Sequence, residues 1–167
     1  MNISIETDMI DELQKDWVKQ RPDLDPGPMG VVLRIQALAK ILGDHTAEKL
    51  QRFDLQWWQY DVLSTLRRRG KPYIMAATEL ADSVMLTSGA MTNRIDRLEN
   101  EQLVRRVKDD NDQRRVLVQL TKKGITLIEE ATEARFESAT EAVESLSKRQ
   151  RESLSNLLRV VLTAHTD

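Results

Sequence analysis

Residues Leu80–Gly124 read LADSVMLTSGAMTNRIDRLENEQLVRRVKDDNDQRRVLVQLTKKG. A short helical segment ends near Val84. Thr87 can cap a second helix, in which Met91, Ile95 and Leu98 recur at helical spacing. Further on, Val116, Val118 and Leu120 alternate as in a half-buried strand, after a charged tip at 108–115. Helix, tight turn, helix and strand–loop–strand hairpin together predict a winged helix-turn-helix. The second helix of that motif enters the DNA major groove, and a basic wing can reach an adjacent groove. Double-stranded DNA is therefore the expected partner.

The segments around this stretch read as helices. Asp8–Lys19 is a short amphipathic helix carrying Ile10, Leu13 and Trp17, capped by Thr7 or Asp8 and ended by Arg21-Pro22. PDLDPGPMG follows with three of the four prolines and reads as a stiff linker. Val31 to about Phe53 is a long helix with Ile35, Leu38, Ala39 and Leu42 on one stripe, and Gln56–Arg69 is another, stopped by Gly70. Lys71–Met75 reads as an extended connector. After Thr121 and Gly124 comes a helix with Ile125, Ile128, Phe136, Ala139 and Val143. Ser147-x-x-Gln150 is a capping box for the last one, which carries Leu154, Leu157, Leu158, Val161 and Leu162.

These terminal helices are more apolar than a small winged domain needs, which fits either a larger core or a self-paired interface, and the second is expected because readers of palindromic DNA are usually dimers. The expected fold class is mainly α with a small β-hairpin wing: a winged helix-turn-helix at 55–120 and a helical dimerisation region at 29–54 and 121–167. An N-terminal helix and Pro-rich linker occupy 1–28.

Composition narrows the function. Net charge is −2, but residues 86–123 hold nine basic and six acidic residues, +3, leaving sixteen basic against twenty-one acidic elsewhere, −5. An acidic body with one basic segment suits a DNA reader whose contacts come from one element. The first 28 residues, with seven acids and three bases, should not lie along DNA. There is no cysteine, which excludes disulfides and a thiol switch, and only His45 and His165 could supply imidazole, too few for the usual zinc site. No metal and no cofactor are expected. No apolar run approaches the roughly 18 residues of a membrane span, and the acidic start MNISIETDMIDEL is not a signal peptide, so a cytoplasmic protein is expected. No Ser-His-Asp set or Gly-rich phosphate loop points to an enzyme. The remaining alternative is a winged-helix module that binds protein, against which the +3 segment argues.

At about 100° per residue, with Met91 at zero, Ile95 and Leu98 define the buried stripe of the second helix. The opposite face carries Gly89, Asn93 and Asp96, flanked by Thr92 and Arg97. Asn pairs with adenine, Arg with guanine, and Thr with a thymine methyl. Gly89 permits close backbone approach, and Ser88 can donate to a phosphate. Asp96 reads as a solvated surface acid. Arg94 projects at the edge of the core stripe, where a guanidinium needs a partner. In the wing, Asp112 stands two residues before Arg114 and can hold it in one direction, as a minor-groove probe. Arg115 adds a further basic contact.

These residues resemble the MarR family of bacterial transcription regulators from about Val31 onward. Thr87-Ser88-Gly89-Ala90-Met91-Thr92 is similar to the start of that family's recognition helix. Asp112-x-Arg114, the alternating Val116, Val118 and Leu120, and Leu120-Thr121-x-x-Gly124 are similar to its wing signature. The resemblance implies a dimer with interlocked terminal helices, usually a repressor, whose repression small phenolic or aromatic acids usually relieve. The extra N-terminal helix with its Trp resembles the urate-responsive branch. There the resemblance implies a ligand site at Trp17 in KDWVKQ, Asp61 in QYDVLSTL, Arg94 in TNRIDRL and Arg106 in LVRRV. The linker RPDLDPGP is shorter than that branch often has. Urate or a related purine and another small aromatic acid both remain open as ligands. Two guanidiniums would bind the anion and a Trp face would stack on its ring. Asp61 would pair with Arg94 or Arg106 in the empty site. Trp57, Trp58 and Tyr60 read as core or interface residues.

Overall fold

Asp8 opens the first helix, α1 (Met9–Gln20), by accepting the N–H groups of Ile10 at 2.9 Å and Asp11 at 3.0 Å, while the Asp11 carboxylate accepts the Asp8 N–H at 2.8 Å. The structure, a computed structural model, describes residues 6–109, 112, 115 to 166. The chain divides into two units, Met1–His45 and Thr46–Asp167, with the boundary inside α2 (Gly27–Gln51).

In the first unit α2 begins at Gly27, four residues before the expected Val31. Pro28 sits in its first turn, where a missing N–H costs nothing. The linker is correspondingly shorter than the composition suggested. Arg34 of α2 holds α1 by its cap: Nε donates to Asp8 at 2.9 Å and Nη2 to Asp11 at 2.6 Å. This guanidinium lowers the Asp8 pKa below the usual carboxylate value. Gln14 donates to the Pro26 carbonyl at 2.8 Å and fills the space that a side chain at Gly30 would need.

The second unit contains α3 (Trp57–Arg68), β1 (Ile74–Ala76), α4 (Ala77–Ser83), α5 (Ser88–Asn100), β2 (Val104–Lys108), β3 (Val116–Leu120), α6 (Lys122–Glu141) and α7 (Lys148–Thr163). The hairpin is part of a three-stranded antiparallel sheet ordered β1-β3-β2, with Met75 opposite Val118 and Arg106 opposite Val118 on the other side. The expected connector at Lys71–Met75 is therefore partly a strand. Three residues are too few to show a period of two, and only pairing with β3 reveals it. Val118 and Leu120 are buried, but Val116 is exposed because the wing runs beyond the core at that end.

The core of this unit joins Leu63 and Leu66 of α3, Leu80 of α4, Met91, Ile95 and Leu98 of α5, the sheet, and Ile128 of α6. Tyr60 is buried and Trp58 packs against the core, whereas Trp57 is 50% exposed and is no core residue. Two left-handed residues close α4 and α5. Met85 ends α4 with the Leu86 N–H donating to the Ala81 carbonyl at 2.9 Å. Gln102 ends α5 with the Leu103 N–H donating to Leu98 at 2.9 Å. The Leu120–Gly124 signature is a joint: the Thr121 hydroxyl donates to the Gln102 carbonyl at 2.6 Å and accepts the Gly124 N–H at 3.0 Å. A side chain at Gly124 would overlap the Leu103 carbonyl oxygen.

Candidate nucleic-acid interface

Helix α5 presents the two faces its sequence implies. Met91, Ile95 and Leu98 are buried, while Ser88, Gly89, Thr92, Asn93, Asp96 and Arg97 are exposed. Thr87 caps the helix by accepting the Ala90 N–H at 3.3 Å. Nothing crowds Gly89, so its backbone is open to an incoming surface. The Thr92 hydroxyl donates to the Ser88 carbonyl at 3.0 Å, which leaves its methyl and lone pairs for an outside partner. Arg97 borders a cavity with Trp58, Gln59, Glu101 and Lys123, toward the far end of α5. Gln59 is buried there and donates to Glu101 at 2.7 Å.

Four of the expected DNA residues converge. Ser88, Thr92, Asp112 and Arg115 line one cleft with Thr78 and Val116, between the starts of α4 and α5 and the tip end of the wing. Arg115 pairs with Glu79 of α4 and lies 3.7 Å from Asp109. Glu79 also takes Arg69 at 3.4 Å. Arg114, the expected minor-groove probe, lies outside the described residues.

The four expected ligand residues are distributed differently from the simple pairing. Trp17 belongs to the first unit and is partly exposed. Arg94 is half-buried with its guanidinium carbon 5.4 Å from the Trp58 ring centre, at the edge of the core. Its stacking partner is an aromatic face and not Asp61. Arg106 on β2 reaches Asp96 at 2.5 Å and also binds Glu99. Burial opposes its charge, but these two carboxylates outweigh that and hold its pKa above the usual arginine value. Asp61 lines a separate cavity between α3 and α6, with Trp57, Tyr60, Arg67, Arg68 and Arg135. Among the described residues, then, Asp61 does not pair with Arg94 or Arg106. The acids of α5 lie nearer to Arg106.

Glu79, Glu99 and Trp58 were not legible as site-forming residues. Each acts across a chain reversal, on Arg115, Arg106 and Arg94 respectively, so no local spacing announces it. Among the described residues no helix is long and apolar enough to cross a membrane.

The MarR family model matches residues 55–116. The HTH-type transcriptional regulator PecS of Dickeya dadantii (strain 3937) is 30% identical over 149 residues, 89% of this chain and 90% of PecS. The structure of AbsC, a MarR family transcriptional regulator from Streptomyces coelicolor, superposes with a TM-score of 0.77 at 21% identity, covering 84% of this chain and 95% of AbsC. A mutant MarR from E. coli complexed with operator DNA superposes with a TM-score of 0.70 at 25% identity, covering 93% of this chain and 99% of that one.

Proposed function

The chain belongs to the MarR family of DNA-binding transcriptional regulators, which are not enzymes, and from that premise we propose a ligand-responsive cytoplasmic repressor. In this reading it binds palindromic operators as a homodimer and is released by a small aromatic acid or purine anion such as urate. The observation that carries the DNA contact is the exposed polar face of α5, from Ser88 to Asn93, over a fully buried apolar stripe. Ser88, Gly89, Thr92, Asn93 and Arg97 meet the major groove, with Asp112, Arg114 and Arg115 at the wing. Half-sites roughly 34 Å apart receive one recognition helix from each protomer.

Support for the dimer comes from apolar side chains left in solvent: Leu154, Leu157, Leu158, Val161 and Leu162 on α7, and Val31, Leu38 and Ile41 on α2. No residue of α7 is buried within the single chain.

Support for the ligand is the presence of Trp17, Asp61, Arg94 and Arg106 at the matching positions. A thermal-shift screen of purines and aromatic acids tests it. A true inducer raises the melting temperature, by a stabilisation of about 2.7 kcal/mol at a hundredfold excess over Kd, and releases operator DNA. Calorimetric titration of Asp61→Asn and Arg106→Ala then tests the residues. If both variants bind the inducer as tightly as wild type, the ligand lies elsewhere.

A further inference from the structure

Arg106 lies on β2, an outer strand of the sheet, and its two carboxylate partners lie on α5 three residues apart. Glu99 takes Arg106 twice. One oxygen accepts the backbone N–H at 2.9 Å, and the other accepts from Nη1 of the guanidinium. Nη2 donates to Asp96 at 2.5 Å. An edge strand normally shows such an N–H to solvent, and here a recognition-helix side chain occupies it. A planar guanidinium engaged at both ends, with its own backbone also held, resists rotation in a way that a single ion pair does not.

Asp96 is the informative member. It projects from the exposed face of α5, the face that meets DNA, and an unpaired carboxylate there would repel phosphate. Its pairing with Arg106 neutralises it and turns it into an anchor.

We propose that Arg106, through Asp96 and Glu99, is a positioning residue for DNA recognition: it sets the roll of the recognition helix against the first wing strand. Arg106 acts through these two acids and not by touching a phosphate. The operator face of α5 and the wing therefore move as one body.

The clamp predicts a sign opposite to simple electrostatics. Removing an acid from a DNA-facing helix normally strengthens binding. Here Asp96→Ala weakens it. The probe is a duplex selected from a random library by the wild-type protein, with a scrambled duplex of equal composition as control. Fluorescence anisotropy is read across a salt series, and folding is checked by thermal melting. Asp96→Ala and Arg106→Ala should each weaken binding to the selected duplex by about fivefold, the scale of a surface ion pair worth near 1 kcal/mol. The scrambled duplex should bind Asp96→Ala no more weakly than wild type. The double variant should be no worse than Arg106→Ala alone, because both remove one interaction. Glu99→Gln keeps an acceptor for the Arg106 N–H and carries the test if an alanine variant unfolds; it should weaken selected-duplex binding in the same direction. Tighter binding by Asp96→Ala, unchanged binding by Glu99→Gln, or a salt slope lowered by about one in Arg106→Ala, the mark of a lost phosphate contact, would each overturn the proposal. Wild-type binding to the selected duplex tests the DNA reading separately.

Discussion

Gly124 has no side chain because the Leu103 carbonyl oxygen occupies the place where one would be. The first turn of α6 is thereby pressed against the turn that leaves α5, and Thr121 bonds to both sides of the contact. Gly124→Ala should lower stability by about 1–3 kcal/mol, the usual cost of overpacking, read as a fall in the urea midpoint with an unchanged slope. Gln102 poses the reverse case. Its φ of 61° strains any residue with a Cβ, at roughly 1–2 kcal/mol, and glycine would relieve it at a smaller entropic cost. Gln102→Gly should raise the urea midpoint. A lowered midpoint would mean that the glutamine side chain makes a contact worth more than the strain.

At the scale of elements, the cap of α1 doubles as its tether. Asp8 closes the first turn and also receives Arg34 from α2. Arg34 holds the Asp8 pKa below its ordinary value of 3.8. A carboxylate depressed in the folded state stabilises above its unfolded pKa, and that stabilisation is lost as pH falls through the lower folded pKa. Attachment of α1 to α2 should therefore be pH-independent at neutral pH and should weaken only below about pH 4. Hydrogen exchange of the α1 amides measured down the pH scale checks this. Arg34→Ala should give fast exchange already at neutral pH, and slow exchange in that variant would show that Asp8 and Asp11 do not tether the helix.

For the whole molecule, the proposed dimer rests on α7. A 16-residue helix with no buried residue and Leu157 at 66% exposure is unstable as a free surface. The expected species at micromolar concentration is a dimer. Leu158→Glu or Leu154→Glu should shift sedimentation toward monomer and weaken operator binding, since a lone protomer reaches only one half-site. Dimeric sedimentation of both variants would place the interface elsewhere.

The sequence by itself determined the elements that carry their own signals. The caps at Thr87 and Ser147 are where side-chain chemistry places them, Asp8 is one of the two candidates the sequence offers for α1, and Met91, Ile95 and Leu98 are buried because helical periodicity is a local property. The family signature was legible for the same reason: the motif residues are consecutive or regularly spaced. Tertiary structure decided what consecutive residues cannot. Ile74–Ala76 became a strand only because β3 offered a free edge. Trp57 stays 50% exposed although its ring stacks on that of buried Tyr60, and residue type alone cannot announce such a half-covered aromatic. Arg106 found Asp96 and Glu99, and Arg94 found Trp58, because the chain reverses between them. Which acid pairs with which base is set by distance in space, and spacing along the chain carries that information only within a helix or a turn.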